Sequence, residues 1–398
     1  MFKKCFVNTA ETTMQCLTDG KTFLITGDIE AMWLRDSSAQ VCHYAPFMMK
    51  EGCEPLKDIV GGVIRKQFEQ INIDPYANAF NTEANGRCWA KDRTDDNPWD
   101  WERKYELDSL CYPVRLLDHY LEITDDYGII DDEIKEGLRI ILKVMATEQN
   151  HSADSTYYFE RDNCPPSDTL INNGKGAEVA RCGLIWSGFR PSDDACKYGY
   201  LIPANLFAVD VLTYIKKIAA HIGEQEMANK ADIIRDAVEK GLSEHAFITN
   251  EAGEKIYVYE TDAMGHTNRM DDANVPSLLS IPWITSIDKK DTVYLRTRAD
   301  VLSQNNPYYY VGEAAKGIGS PHTPDNYIWH IALSMQGLTS ADDKERKELL
   351  DMLVSTDADT FYMHEGFHKD DPKKYTRDWF AWSNSLFALY VLDYYGMC

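Results

Sequence analysis

Apolar residues along this chain recur at helical spacing far more often than at strand spacing. The runs Leu107 to Leu121, Tyr200 to Ala220 and Trp379 to Tyr395 carry wide apolar faces and predict buried helices. Between them lie narrower apolar stripes, over 55–70, 132–149, 224–240, 289–303 and 341–355, which predict amphipathic helices with one wet face. Strand-like stretches are short: Lys255 to Thr261 after the Ala252-Gly253 turn, and Ser155 to Arg161. No Pro-, Gly- or Ser-rich linker interrupts the pattern, which predicts one domain over residues 1–398.

A looser regularity overlies this pattern. Six polar clusters, each with at least one Asp, precede strongly apolar stretches, and Asp36, Asp108, Asp193, Asp272, Asp325 and Asp378 mark them. Each interval has room for two helices and a loop. A buried helix alternating with a half-wet one, six times over, predicts an all-α (α/α)6 barrel with minor short strands in its loops. Asp, Ser and Asn before a helix are ordinary N-cap residues, so each cluster can be read as a cap. Capping does not explain why the clusters also carry Arg, Trp, His or Tyr. If the inner helices run parallel, the clusters meet at one mouth of the barrel. Carboxylates and guanidinium groups there would grip sugar hydroxyls, and aromatic faces would stack on sugar C–H surfaces.

Charge and composition narrow the partners. A net charge of −23 on 398 residues repels phosphate backbones, so nucleic acid is not an expected partner. With 44 % hydrophobic and 26 % charged residues the chain reads as globular. No stretch is long and apolar enough to cross a bilayer, so no membrane partner is expected. The ten cysteines form no CxxC pair and no secretory apolar run precedes Glu11. Reduced thiols and a cytoplasmic location are the expectation.

The sharpest short motif is His364-Glu-Gly-Phe-His368, an HExxH pattern that in a helix would place two zinc ligands one turn apart. Gly366 lies inside it, Lys369-Asp-Asp-Pro372 ends it at once, and no Glu or His follows His368 to complete a ligand set. A tight loop projecting Glu365 is the better reading, and no metal or cofactor is expected. Acetal hydrolysis needs instead one carboxylic acid and one carboxylate on opposite faces of a sugar ring. With 64 acidic residues, composition alone nominates no pair.

Five runs, in order, resemble glycoside hydrolase family 125, the bacterial and fungal exo-α-1,6-mannosidases. They are Thr26-Gly-Asp-Ile-Glu-Ala-Met-Trp-Leu-Arg-Asp-Ser-Ser-Ala-Gln40, Asp74-Pro-Tyr-Ala-Asn-Ala-Phe-Asn81, Trp101-Glu-Arg-Lys-Tyr-Glu-Leu-Asp-Ser-Leu-Cys-Tyr-Pro113, Phe189-Arg-Pro-Ser-Asp-Asp-Ala-Cys196 and Met363-His-Glu-Gly-Phe-His-Lys-Asp-Asp-Pro372. The resemblance runs from about Thr22 to the C-terminus. It implies an (α/α)6 fold and a metal-independent inverting mechanism that removes terminal α-1,6-linked mannose from mannose-containing glycans. By position it puts the general acid on Asp193 and the general base on Glu365, with Arg35 and Asp36 gripping the terminal sugar. The resemblance also implies a longer helix before the Thr-Gly-Asp signature than the 26 residues here allow.

Arg190, Asp194, His322 and Trp33 are further candidate substrate ligands, and Asp194 rivals Asp193 as the acid. Trp186, Trp379 and Trp382 could stack on sugar or fill the core. Asp271-Asp272 reads as a helix cap or, less simply, a metal site. Two rival functions stand beside the mannosidase: a catalytically silent glycan-binding protein on the same barrel, and a zinc peptidase built on 364–368.

Overall fold

The structure is a computed structural model and describes residues 1–397; Cys398 lies outside them. Outer and inner helices alternate along the chain: outer α1 (Phe2–Asn8) and inner α2 (Leu34–Val41), outer α3 (Pro55–Ile73) and inner α4 (Leu107–Thr124), outer α5 (Asp132–Glu148) and inner α6 (Ile202–His221). The second half repeats this with outer α7 (Gln225–His245) and inner α8 (Ile281–Ile284), outer α9 (Thr292–Val301) and inner α10 (His330–Leu338), outer α11 (Asp343–Ser355) and inner α12 (Ala381–Tyr394). Along the inner ring α2 packs on α4, α4 on α6, α6 on α8 and α10 on α12, and α12 returns to α2. The chain therefore builds the (α/α)6 barrel, and its one large apolar core runs from Cys5 to Tyr390.

The apolar pattern explains which helices lie inside. Every residue of α10 is buried, whereas α11 buries only Leu349, Leu350 and Leu353 against the ring. The first outer position is filled by α1, which continues as a π-helical turn over Thr9–Thr13 and packs against α12. The fourth inner position departs from the regular pattern. Only Ile281–Ile284 are helical there, with Pro282 in the first turn.

Of the two rings, only the outer carries side-chain caps, at three of its six helices. Asp131, Asp291 and Asp342 accept backbone N–H bonds at the starts of outer α5, α9 and α11. No inner helix has a side-chain cap. Five inner helices are entered instead from an extended residue, Trp33, Glu106, Leu201, Trp329 and Phe380. Polar residues of the inner clusters are thus released from capping and free to serve the mouth of the barrel.

Short antiparallel sheets hold that mouth. One joins Met32–Trp33, Ala79–Phe80 and Asp100–Glu102, with Trp33 opposite Ala79 and Ala79 opposite Glu102. Another joins Tyr327–Trp329, Gly366–His368 and Asp371–Tyr375, with Trp329 opposite Gly366. Gly27 ties the first cluster to the last: its φ of +133° belongs to glycine, and a Cβ there would lie 2.4 Å from the Trp379 carbonyl oxygen. The strand expected over Ser155 to Arg161 is a loop, with a single bridge between Glu160 and Arg93. Its aromatic residues are fixed by packing rather than a ladder. Tyr157 stacks on Tyr76, accepts a bond from the Tyr105 N–H and donates one to the Arg103 carbonyl.

The contact between α10 and α12 is close enough to test. A Cβ on Gly337 would lie 2.1 Å from the Tyr390 ring. Gly337→Ala should therefore cost about 1–3 kcal/mol of stability by overpacking, read as a lower urea midpoint with an unchanged m-value. An unshifted midpoint would contradict this packing of the inner ring.

Candidate active site

A cavity of about 660 Å³ opens at the mouth where the inner helices begin. Asp193, Glu365, Arg35, Asp36, Asp194, His322 and Trp33 all line it. These seven come from stretches of chain as far apart as Trp33 and Glu365, so only the closed ring brings them together. Arg190 does not line the cavity. Its Nε pairs at 2.6 Å with buried Glu260, and its guanidinium lies over the Tyr259 ring. Its backbone does the local work: the Arg190 N–H donates to the Asp194 carbonyl, and the Asp193 N–H donates to the Arg190 carbonyl.

That tight turn presents Asp193. Its φ of +66° lies in the left-handed region, where a carboxamide or carboxylate residue is tolerated and most others are not. No helix N-terminus reaches this turn, because α6 begins only at Ile202. Asp193 is held by side chains instead. Asn78 Nδ2 donates to its Oδ1 at 3.3 Å, Lys104 Nζ donates to its backbone carbonyl at 2.8 Å, and Arg35 Nη2 lies 3.8 Å from Oδ1. Burial pushes the Asp193 carboxyl upward, but Lys104, Arg35 and His322 together hold it below the usual carboxylate range.

Glu365 stands just before the strand Gly366–His368 and is 7 % exposed. Its Oε1 lies 3.7 Å from Arg377 Nη1, and Arg377 is itself anchored on Asp28. Each carboxylate therefore has its own cations, Lys104 and Arg35 at Asp193 and Arg377 at Glu365. The HExxH segment is extended rather than helical. The His364 ring is spent on the Arg377 carbonyl and the Thr360 hydroxyl, each at 3.1 Å, and stacks on Tyr375. No grouping of three metal-ligating side chains occurs among the described residues.

The cavity floor centres on Arg35, 2 % exposed. Its Nη1 meets Glu106 Oε2 at 2.6 Å and Asp108 Oδ2 at 3.1 Å, and its Nε lies 3.7 Å from Asp36 Oδ2. Burial raises the Asp36 carboxyl to about 6 against the pull of Arg35 and Arg377. On the rim, His322 Nδ1 lies 3.5 Å from Asp194 Oδ1. Burial pushes its imidazole down, but Asp194 and the nearby Asp193 and Glu365 more than reverse this and bring it to about 9.

Of the six marker residues, Asp36 and Asp193 line the cavity and Asp108 lies behind Arg35. Asp272, fully buried, accepts the Ser192 hydroxyl at 2.6 Å and so braces the Asp193 turn. Asp271 accepts the Leu278 and Leu279 N–H groups ahead of α8, a loop staple rather than a metal ligand. Asp325 and Asp378 are exposed and off the cavity, though His322, Arg377 and Phe380 from their clusters line it. Trp186 and Trp382 are core residues, Trp186 stacked on His151. Trp379 lies off the lining as well.

Several lining residues escaped the sequence reading. Lys104 and Glu102 sit inside a run whose significance was visible, and Trp329 opens α10. Trp89 and Asp168 come from loops with no periodic signal, and Arg161 ends the segment expected to be a strand. Arg161 pairs with Asp92, Glu102 and Asp168, and Asp168 in turn binds Lys104, so these loop residues fix the cation beneath Asp193.

A family model described as metal-independent α-mannosidase, glycoside hydrolase family 125, matches residues 1–392. The chain belongs to this family. It is similar to a Streptococcus pneumoniae metal-independent α-mannosidase solved as a non-productive complex with α-1,6-mannobiose. The two are 45 % identical, with a TM-score of 0.97, over 100 % of this chain and 93 % of that one. The meiotically up-regulated gene 157 protein of Schizosaccharomyces pombe is 36 % identical over 415 residues, spanning 99 % of this chain and 81 % of its own. The glucoamylase of Saccharomycopsis fibuligera shares the fold at 13 % identity, with a TM-score of 0.57 over 94 % of this chain and 89 % of that one. Membership of a metal-independent family, together with an extended 364–368 segment whose His364 is already bonded, overturns the zinc-peptidase alternative.

The rim pair of this mannosidase is measurable. NMR titration should place the His322 imidazole near 9, and Asp194→Asn should lower it by about 1–3 units, as loss of an adjacent opposite charge does. A His pKa above its unfolded value stabilises fully below the unfolded pKa, about 6.5, and that contribution fades as pH rises through about 9. The stability gap between wild type and variant should close over that window. An unchanged His322 titration in the variant would contradict the pairing.

Proposed function

We propose that this α-mannosidase is an exo-acting, inverting enzyme that hydrolyses terminal α-1,6-linked mannose, with Asp193 as general acid and Glu365 as general base. The observation that carries this reading is one cavity lined by both carboxylates, each held by separate cations, in a chain of a metal-independent α-mannosidase family. The α-1,6-mannobiose bound by the S. pneumoniae relative supports the linkage. In the reaction Asp193, which its cations hold as a carboxylate at rest, delivers a proton to the glycosidic oxygen as the C1–O bond breaks, the electron pair leaving with that oxygen. Water bonds to C1 from the opposite face and yields its proton to Glu365. A floor closed by Arg35 and its carboxylates would stop the chain beyond one terminal sugar, which accounts for exo action. Trp33, Trp329 and Phe380 supply apolar surface for the sugar ring.

We further propose that residues 1–398 work as a single catalytic domain in the cytoplasm. All nine cysteines among the described residues are free thiols, which suits a reducing compartment. Among the described residues no helix is long and apolar enough to cross a membrane.

Steady-state kinetics on α-1,6-mannobiose test the roles. Asp193→Ala and Glu365→Ala should each lower kcat by about 10²–10⁴-fold, with binding of the disaccharide largely kept. A substrate whose leaving group needs no proton, 2,4-dinitrophenyl α-mannoside, should restore turnover to the Asp193 variant and not to the Glu365 variant. Near-wild-type kcat in either variant on mannobiose would overturn its assignment. No turnover by the wild type would favour the silent glycan-binding alternative.

A further inference from the structure

Glu106 is a buried carboxyl that the mechanism above does not use. It precedes α4, is 1 % exposed, and reaches the same guanidinium that approaches Asp193. Its Oε2 accepts from Arg35 Nη1 at 2.6 Å and from the Ser109 hydroxyl at 2.9 Å. Its Oε1 is fully buried with no donor in reach. A carboxylate oxygen stripped of water and left without a donor is costly, whereas a carboxylic acid O–H there needs only an acceptor. Asp193 shares the Arg35 guanidinium with Glu106, its Oδ1 3.8 Å from Nη2 while Glu106 binds Nη1.

Charge counting points the same way. Arg35 is the cation at the centre of Asp36, Glu106, Asp108 and Asp193. Lys104 adds a second positive charge from the strand side, and Cys196 faces the group from the Asp193 loop. Three of these carboxyls, Asp36, Glu106 and Asp108, are buried, and Arg35 is the one cation all four share. Full ionisation of the cluster is therefore costly even with Lys104, His322 and Arg377 at its edges. Burial, with Asp193 and Asp108 as like-charged neighbours, drives Glu106 well above the usual carboxylate range although Arg35 opposes it. Asp193 is driven the opposite way. Two carboxyls on one guanidinium displaced in opposite directions hold one proton between them.

We propose that Glu106 is a positioning and proton-storing residue for the general acid, donating its carboxyl proton to Asp193 as Asp193 protonates the departing sugar oxygen. The inference rests on the assignment of Asp193 as acid. The proton passes from Glu106 to Asp193 and on to the glycosidic oxygen, which leaves Glu106 ionised, and the pair recovers one proton from solvent after product leaves. Glu365 releases to solvent the proton it took from water, so the cycle balances as one water consumed per bond cleaved. Arg35, bonded to Glu106 and facing Asp193, keeps the transient second charge of the pair compensated.

The test compares Glu106→Gln with wild type in pH profiles of kcat and KM on α-1,6-mannobiose. The amide keeps the shape and a donor toward Asp193 but has no proton to give. We expect kcat to fall about 10–100-fold, within the range that acid–base assistance supplies, with KM within about twofold and the alkaline limb of the kcat profile moved to lower pH. The loss should shrink to near nothing on 2,4-dinitrophenyl α-mannoside, and Glu106→Asp should recover part of it. A Glu106→Gln profile that superimposes on wild type, or an equal loss on both substrates, overturns the proposal. If Asp193→Ala is inactive while Glu106→Gln is normal, this inference alone fails. If Asp193→Ala is active, the assignment beneath it fails. The wild type provides a reading that needs no variant to fold: protein carrying ¹³C at Glu carboxyls should show a protonated glutamic acid band in the infrared at pH 7, and its absence also overturns the proposal.

Discussion

The site depends on one buried guanidinium. Arg35 sits at the floor of the barrel mouth with four carboxyls around it, drawn from the first inner helix, the approach to the second and the loop before the third. Breaking a buried ion pair by removing one partner typically costs about 3–5 kcal/mol, because the orphaned charge cannot return to water. Here the removal of Arg35 would orphan several at once. The arrangement is therefore costly to build and hard to alter, which suits a cluster that fixes the position and charge of one reacting group rather than one that merely adds stability.

Around this centre the barrel acts as a means of convergence. Three outer helices spend an Asp on a cap, while five inner helices begin from extended residues and leave their polar clusters uncommitted. Small sheets then set the heights of Trp33, Glu102, Trp329 and Glu365 relative to one another. The two carboxylates receive different electrostatic settings from different parts of the ring. Asp193 belongs to the Arg35 and Lys104 network, Glu365 to Arg377 and its anchor Asp28. Separate control of two like groups is what acid–base chemistry on opposite faces of a sugar requires.

Much of this was legible in the sequence because burial leaves a periodic trace. The five amphipathic helices fall within a few residues of their predicted bounds, since each keeps one wet face in register with its turns. What failed has physical reasons. The Tyr-rich segment 155–161 carries strand-forming residues, but aromatic packing holds it without a ladder. The fourth inner helix shrinks to Ile281–Ile284, with long loops on the preceding side that periodicity cannot describe. Arg190 lies in the right loop, yet its side chain turns back to Glu260 while its backbone shapes the turn. Trp89 and Asp168 come from irregular loops, where spacing carries no information about direction. The family resemblance nominated the catalytic pair, and composition alone could not have done so.

The most direct measurement is the anomeric form of the mannose first released from α-1,6-mannobiose, followed by proton NMR before mutarotation. A base working through a water on the far face requires carboxyl groups about 6.5–9.5 Å apart and an inverted product, against about 5–5.5 Å and retention for a covalent intermediate. Two carboxylates held by separate cations on one cavity, acting as acid and base, predict β-mannose as the initial product. Initial α-mannose would contradict the account.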